Sequence, residues 1–298
     1  MMKSGFVSLI GRPNVGKSTL LNTLINQKIA ITSNKPQTTR NIIQGIYNEE
    51  GYQIVFVDTP GIHKPINKLG KVLNKEAFTF AKDVDVVLFV VSAYEGIGPG
   101  DRKIIDSFNG TDSPVILVLN KIDKITTEQL MKVVMDYKDL YDFAEVVPVS
   151  ALKKQNVVEL INTIKKYLTD NMRYFDDDEI TSSSINFLVS EFVREKIFRM
   201  TEEEIPHSIT CVTTAYEEKK DIVNIAVDVI VDRDSIKKII IGKQGSLLKA
   251  VGVEARKDIE NLIGKQVYLE LYVKTIKKWR DKERYLNELG FDEKDYIS

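Results

Sequence analysis

Short apolar runs alternate with amphipathic stretches over the first 170 positions. The runs fall at residues 6–10, 54–57, 86–91, 115–119 and 146–149. Helical spacing lies between several of them, as in Leu20, Leu21, Leu24 and Ile25, and again in Val157, Leu160, Ile161 and Ile164. Near-continuous apolar strands separated by helices predict an α/β domain, a mostly parallel sheet with helices on both faces. One hairpin is expected, because residues 42–47 and 53–57 flank the turn Glu49-Glu50-Gly51.

Residues 171–184 are acidic and then serine-rich, with little periodicity, and read as a linker between domains at 1–170 and 185–298. A helical pattern follows in Phe187, Val189, Phe192, Val193 and Ile197. Strand patterns come next around 208–216 and 222–231; in the second, Val223, Ile225, Val227, Val229 and Val231 share one face. A helix over about 246–263 and an alternating strand at 267–273 complete a smaller α+β unit.

The length of 298 residues suits two domains, and 43% hydrophobic against 29% charged residues is a globular balance that excludes a mainly disordered chain. A single cysteine, Cys211, cannot form an intrachain disulfide, and two histidines are few for a zinc site. A reducing, cytoplasmic setting is expected. The apolar start is too short for a signal peptide, and residues 86–91 fall far short of a membrane span, so peripheral contact is the only membrane role left open. The net charge of −1 announces no polyanionic partner, but its distribution does: residues 233–280 carry twelve basic and five acidic side chains, a local +7 between acidic flanks.

Gly11-Arg12-Pro13-Asn14-Val15-Gly16-Lys17-Ser18, followed by Thr19, fits a P-loop set between a strand and a helix. There the backbone amides of a helix N-terminus can close around phosphates. Lys17 would reach the β- and γ-phosphates and Ser18 would ligate Mg²⁺. Asp58-Thr59-Pro60-Gly61 ends the second apolar strand; Asp58 could hold the metal shell through water and the Gly61 amide could meet the γ-phosphate. Asn120-Lys121-Ile122-Asp123 ends a later strand, where the Asp123 carboxylate can accept both guanine N1–H and the 2-amino group. Adenine offers neither donor, so the motif favours GTP over ATP and disfavours an ATP-using P-loop kinase. Ser150-Ala151 follows the last run and would approach the base.

In these motifs residues 5–170 resemble the translation-factor-related GTPases. The resemblance implies that a threonine of Gln37-Thr38-Thr39-Arg40 reaches Mg²⁺ when GTP is bound, with Thr39 favoured over Thr38. It also implies that Asn14 can help hold a monovalent cation such as K⁺, although Asn also simply suits a turn. Ile62 stands where a water-orienting glutamine is usual, so slow intrinsic hydrolysis is expected. No arginine finger is identifiable either, although Arg12 and Arg40 are nearby in sequence.

In the second domain, Gly242-Lys243-Gln244-Gly245 precedes an amphipathic helix within the basic segment. A GxxG loop between helices is the mark of KH domains, which clamp single-stranded nucleic acid. A solvated basic face on a small α+β domain is the alternative. The element order is similar to a type II KH domain, implying RNA contacts at Gly242, Lys243, Gln244, Gly245, Lys249 and Lys257. Trp279, among Lys277, Lys278 and Arg280, could stack on a base or pack in the interior.

The P-loop set with a C-terminal KH domain at this length is similar to the Era family of ribosome-assembly GTPases. That similarity extends over Arg194-Glu195-Lys196, the 254–258 stretch Glu-Ala-Arg-Lys-Asp, and Trp279-Arg280-Asp281. It implies a monomeric GTPase that binds GTP or GDP with Mg²⁺. The expected partners are small-subunit ribosomal RNA near its 3′ end and the 30S-type subunit, with peripheral membrane contact left open. Residues 181–184, Thr-Ser-Ser-Ser, depart from the more charged family segment. A regulatory GTP-binding module acting on a protein or membrane partner is the rival reading.

Overall fold

A computed structural model describes residues 2–33, 40–60, 84–202, 205–282 and 284–285, with the side chain of His207 excepted. The described chain forms two compact units that divide between Ser182 and Ser183.

The first unit is a six-stranded sheet in the order β2-β3-β1-β4-β5-β6. The strands are β1 (Lys3–Ile10), β2 (Ile43–Glu49), β3 (Tyr52–Asp58), β4 (Val86–Ser92), β5 (Val115–Asn120) and β6 (Glu145–Pro148). All pairings are parallel except β2 with β3, the expected hairpin, which turns at Gly51 with φ of 78°. Every residue of β4 is buried, as a central strand covered on both faces requires. Helices α1 (Lys17–Leu24), α2 (Pro99–Asp106), α3 (Thr127–Lys138) and α4 (Val157–Lys165) accompany the sheet. Phe89 anchors the core between β4 and α3, with the rings of Phe108, Tyr137 and Phe143 within 5.5–6.3 Å.

The segment expected to be a plain linker is laid against this sheet. Ser4 N donates to Asp170 O at 2.9 Å, Ile46 N to Ile180 O at 2.9 Å, and Thr181 Oγ1 to Gln44 O at 2.6 Å. Gln53, wholly buried, is the clamp: Oε1 accepts from Tyr174 N at 2.7 Å and Phe175 N at 3.1 Å, and Nε2 donates to Phe175 O at 2.8 Å. Residues 170–182 are thus a strap held by isolated backbone bonds and by side chain to backbone bonds, which leave no periodic signature in the sequence.

The second unit follows the expected order: α5 (Ile185–Met200), β7 (Ile209–Glu218), β8 (Ile222–Val231), α6 (Asp234–Ile241), α7 (Ser246–Ile263) and β9 (Gln266–Thr275). The sheet order is β7-β8-β9, antiparallel then parallel. Its core draws on Phe192, Val223, Val227, Val251, Ala255 and Ile259. Helix α5 is more deeply buried than its apolar spacing predicts, because its charges satisfy one another. Arg194 is bidentate on Glu191 at 2.7 and 2.6 Å, and Lys196 pairs with Glu195 and with Asp258 of α7. Cys211 is buried. Trp279 is also wholly buried and donates from Nε1 to Ser208 O at 3.1 Å, so it packs in the interior and does not offer a stacking face.

Candidate nucleotide site and nucleic-acid interface

The loops that follow β1, β4, β5 and β6 meet at the carboxyl ends of the parallel strands, where ligands of such sheets bind. They enclose a cleft of about 400 Å³. At one end is the P-loop. Gly16 has φ of 100° and caps α1 with no side chain, and no acidic residue stands in the first turn, so the positive end of the helix dipole suits an anion. Gly11 is required for a different reason: a Cβ there would lie 2.2 Å from Val90 O.

Lys17, only 6% exposed, donates to Gly11 O at 3.1 Å and Arg12 O at 3.3 Å, which holds its ammonium against the backbone of the P-loop. Burial pushes its pKa below the ordinary lysine value, against the opposing pull of Asp58. A polyphosphate would add counter-charge to that of Asp58 and favour the protonated amine. Ser18 Oγ donates to Asp58 Oδ2 at 2.7 Å. This pairing of a hydroxyl and a carboxylate beside Lys17 is a hard-oxygen set that fits Mg²⁺. Ser18 would hold the ion directly and Asp58 through water; the ion would supply charge neutralisation at the phosphates.

The other end carries the base motif. Asp123 Oδ1 accepts from Ser150 Oγ at 2.5 Å, which aims the carboxylate. Lys121, in the left-handed region at φ of 65°, crosses to the P-loop and donates from Nζ to Asn14 O at 2.6 Å and to Glu95 Oε1 at 3.0 Å. Asn120 ties three loops together. Its Nδ2 donates to Val15 O at 2.9 Å, and its Oδ1 accepts from Lys121 N at 2.8 Å and Ala151 N at 3.0 Å.

Pro13, Asn14, Gly16, Lys17, Ser18 and Thr19 line the cleft, as do Asn120, Lys121, Asp123 and Ala151. Other expected residues act from behind it. Val15 is buried in the core, Ser150 is behind Asp123, and Thr59 Oγ1 donates to Leu9 O at 2.8 Å. Pro60 is buried beside Thr59 and does not line the cleft. Arg12 is turned away: Nε donates to the wholly buried Asp101 at 2.8 Å and Nη2 to Gly96 O at 3.1 Å. It is therefore engaged elsewhere than at the phosphates. Arg40 is buried. Thr38, Thr39, Gly61 and Ile62 lie outside the described residues. Glu95 and the exposed Leu152 line the cleft without having been singled out; no motif marks either of them.

In the second unit, Gly242 (φ 74°) and Gly245 (φ 77°) bracket an exposed tip, Lys243 and Gln244, at the junction of α6 and α7. Beside it a cleft of about 420 Å³ opens between α7 and β9. Leu248, Gly252 and Leu269 give it an apolar floor, and Lys249, Arg256 and Tyr268 stand at its walls. Lys257 does not line it; its Nζ is 2.6 Å from Glu254 Oε1 on the same helix. Arg256, one position earlier, takes the place expected of it. Helical phase could have revealed this, since residues 249 and 256 are two turns apart.

Fold and site together define a P-loop GTPase unit followed by a KH unit. A family model described as a 50S ribosome-binding GTPase matches residues 6–121, and a KH domain model matches residues 204–280. Two solved structures match nearly the whole chain. An Era protein of Aquifex aeolicus bound to GDP and aluminium fluoride is 39% identical, with 97% of this chain and 99% of that one covered and a TM-score of 0.92. An Era complex with MgGDPNP and nucleotides 1506–1542 of 16S ribosomal RNA is 40% identical, with 98% and 99% covered and a TM-score of 0.94. This chain belongs to the Era family of GTPases.

Proposed function

We propose that this protein is a GTP-hydrolysing switch that binds small-subunit ribosomal RNA near its 3′ end and acts in assembly of the small subunit. The observation that carries the reading is the full-length likeness to the Era complex with 16S nucleotides, together with the apolar cleft and basic walls beside the GxxG tip of this chain. In the first unit, the P-loop amides and Lys17 hold the polyphosphate, Ser18 and Asp58 receive Mg²⁺, and Asp123 reads guanine. In the second, the 242–245 loop grips the RNA backbone while bases enter the cleft.

Among the described residues no helix is long and apolar enough to cross a membrane. We place the protein in the cytoplasm with its ribosomal partner, working as a monomer, with any membrane contact peripheral. The test is RNA binding by the full chain carrying Lys243→Asp and Gln244→Asp. Both side chains are exposed and both glycines stay, so the fold should persist. Binding to a single-stranded 3′-terminal 16S fragment should be lost while GTP binding stays. Wild-type affinity should fall with salt at a log–log slope of about −0.7 per phosphate neutralised. Normal RNA binding by the double variant would refute the KH assignment of the interface.

A further inference from the structure

We propose that Glu95 is a specificity-determining residue, whose carboxylate accepts a hydrogen bond from a ribose hydroxyl and makes the site prefer ribonucleotides to deoxyribonucleotides. The inference rests on the guanine-nucleotide reading of the cleft. That cleft has a base end at Asp123 and Ala151 and a phosphate end at Lys17 and Ser18. Glu95 lines it alongside Asn14 and Lys121, which bridge the two ends. The part of a nucleotide that lies between base and phosphates is the ribose.

A carboxylate in the wall of a polyanion site calls for a reason, since it opposes phosphate binding unless it is neutralised. Lys121 supplies that, at 3.0 Å from Glu95 Oε1. Partial burial works against ionisation of Glu95, but the hydrogen bond and charge of Lys121, with help from the Ser92 hydroxyl and then Arg12, outweigh it and leave the pKa below the ordinary glutamate value. The group therefore stays an acceptor at neutral pH. A carboxylate has about four lone-pair positions; Lys121 and Ser92 take up only part of that capacity, and the side chain remains 40% exposed.

Its placement is built rather than incidental. Glu95 N donates to Ser92 O at 3.2 Å where β4 ends. The next residue, Gly96, gives its carbonyl to Arg12, whose guanidinium is fixed by buried Asp101; Asp101 also accepts from Gly98 N at 2.8 Å. A Cβ at Gly98 or Gly100 would approach Arg12 to 2.8 or 2.9 Å. The Gly98-Pro99-Gly100-Asp101 sequence thus packs on Arg12 and locks the loop bearing Glu95 to the P-loop. This gives Arg12 a purpose away from the phosphates.

The experiment measures equilibrium binding of GTP, 2′-deoxy-GTP and 3′-deoxy-GTP by competition against a fluorescent guanine nucleotide. It uses full-length wild type, Glu95→Ala and Glu95→Gln. Wild type should bind at least one deoxy analogue about tenfold more weakly than GTP, the scale of a hydrogen bond to a charged acceptor. Glu95→Ala should shrink that ratio to under about twofold, and Glu95→Gln, which keeps a carbonyl acceptor, should retain part of it. Equal wild-type affinity for all three nucleotides overturns the proposal. So does an alanine variant that weakens all three by one common factor, because Glu95 would then act only by holding Lys121. If wild type binds no guanine nucleotide, the reading of the cleft fails and takes this inference with it.

Discussion

Replacing Asn120 by alanine should uncouple the two ends of the nucleotide cleft. Asn120 is 2% exposed, and its amide serves Val15 O, Lys121 N and Ala151 N at 2.8–3.0 Å. The substitution leaves three backbone groups from three loops without partners. Each buried group so stranded costs about 1–3 kcal/mol. The cleft admits water, so the low end applies, and the sum is about 3 kcal/mol. Expressed in binding, GTP affinity should fall roughly a hundredfold, read by titration calorimetry with Mg²⁺ present. Thermal unfolding should show the β5 core intact. The same defect should be reachable from the opposite side. Gly16→Ala would place a Cβ 2.3 Å from Asn120 Nδ2 at a φ of +100°, which pushes the amide off Val15 and strains the P-loop. GTP affinity in Asn120→Ala within about threefold of wild type would refute the view that this amide couples phosphate and base binding.

Asp123→Asn should lose GTP affinity by on the order of 2–3 kcal/mol and gain xanthosine triphosphate, because an amide donor then meets the 2-oxo group; nucleotide competition reads both, and an unchanged GTP affinity would remove Asp123 from the base pocket. Gln53→Ala removes the clamp on the 170–182 strap, with a cost of about 2–3 kcal/mol, and limited proteolysis should then cut within that segment; an unaltered cleavage pattern would mean that other bonds hold it. GTP turnover should be faster in potassium than in sodium at equal ionic strength, and Asn14→Ala should erase the difference, since a cation at Asn14 would offset charge developing between the β- and γ-phosphates. Equal wild-type rates in the two salts would dismiss that cation.

Much of the first unit was legible from spacing. All five of its apolar runs became strands of the parallel part of the sheet, and the one at residues 54–57 is also the strand that the 49–51 turn pairs with β2. The reason is that a doubly covered strand must be apolar throughout, whatever surrounds it. The P-loop, the Asp58 turn and the 120–123 motif were legible for a kindred reason. Phosphate and base chemistry demand particular groups at short, local separations, and a strand–loop–helix unit keeps such residues together. The GxxG tip and the alternation of β8 belong to the same class.

What depended on long-range pairing was not legible. Asp101 reaches Arg12 across 89 positions, Gln53 reaches Phe175 across 122, and Lys121 bonds Asn14 across 107. No local pattern encodes such pairs, so the sequence could not say that Arg12 is tied away from the phosphates, that the acidic linker is a strap, or that Glu95 enters the cleft. Nor could it choose between the two readings of Trp279, because the choice was made by Ser208 O, 71 positions away. Sequence by itself determined the elements and the chemistry each loop carries, since both are local. Tertiary structure alone decided which side chains within those motifs face the ligand and which hold the loops to one another, since that depends on what the fold brings alongside.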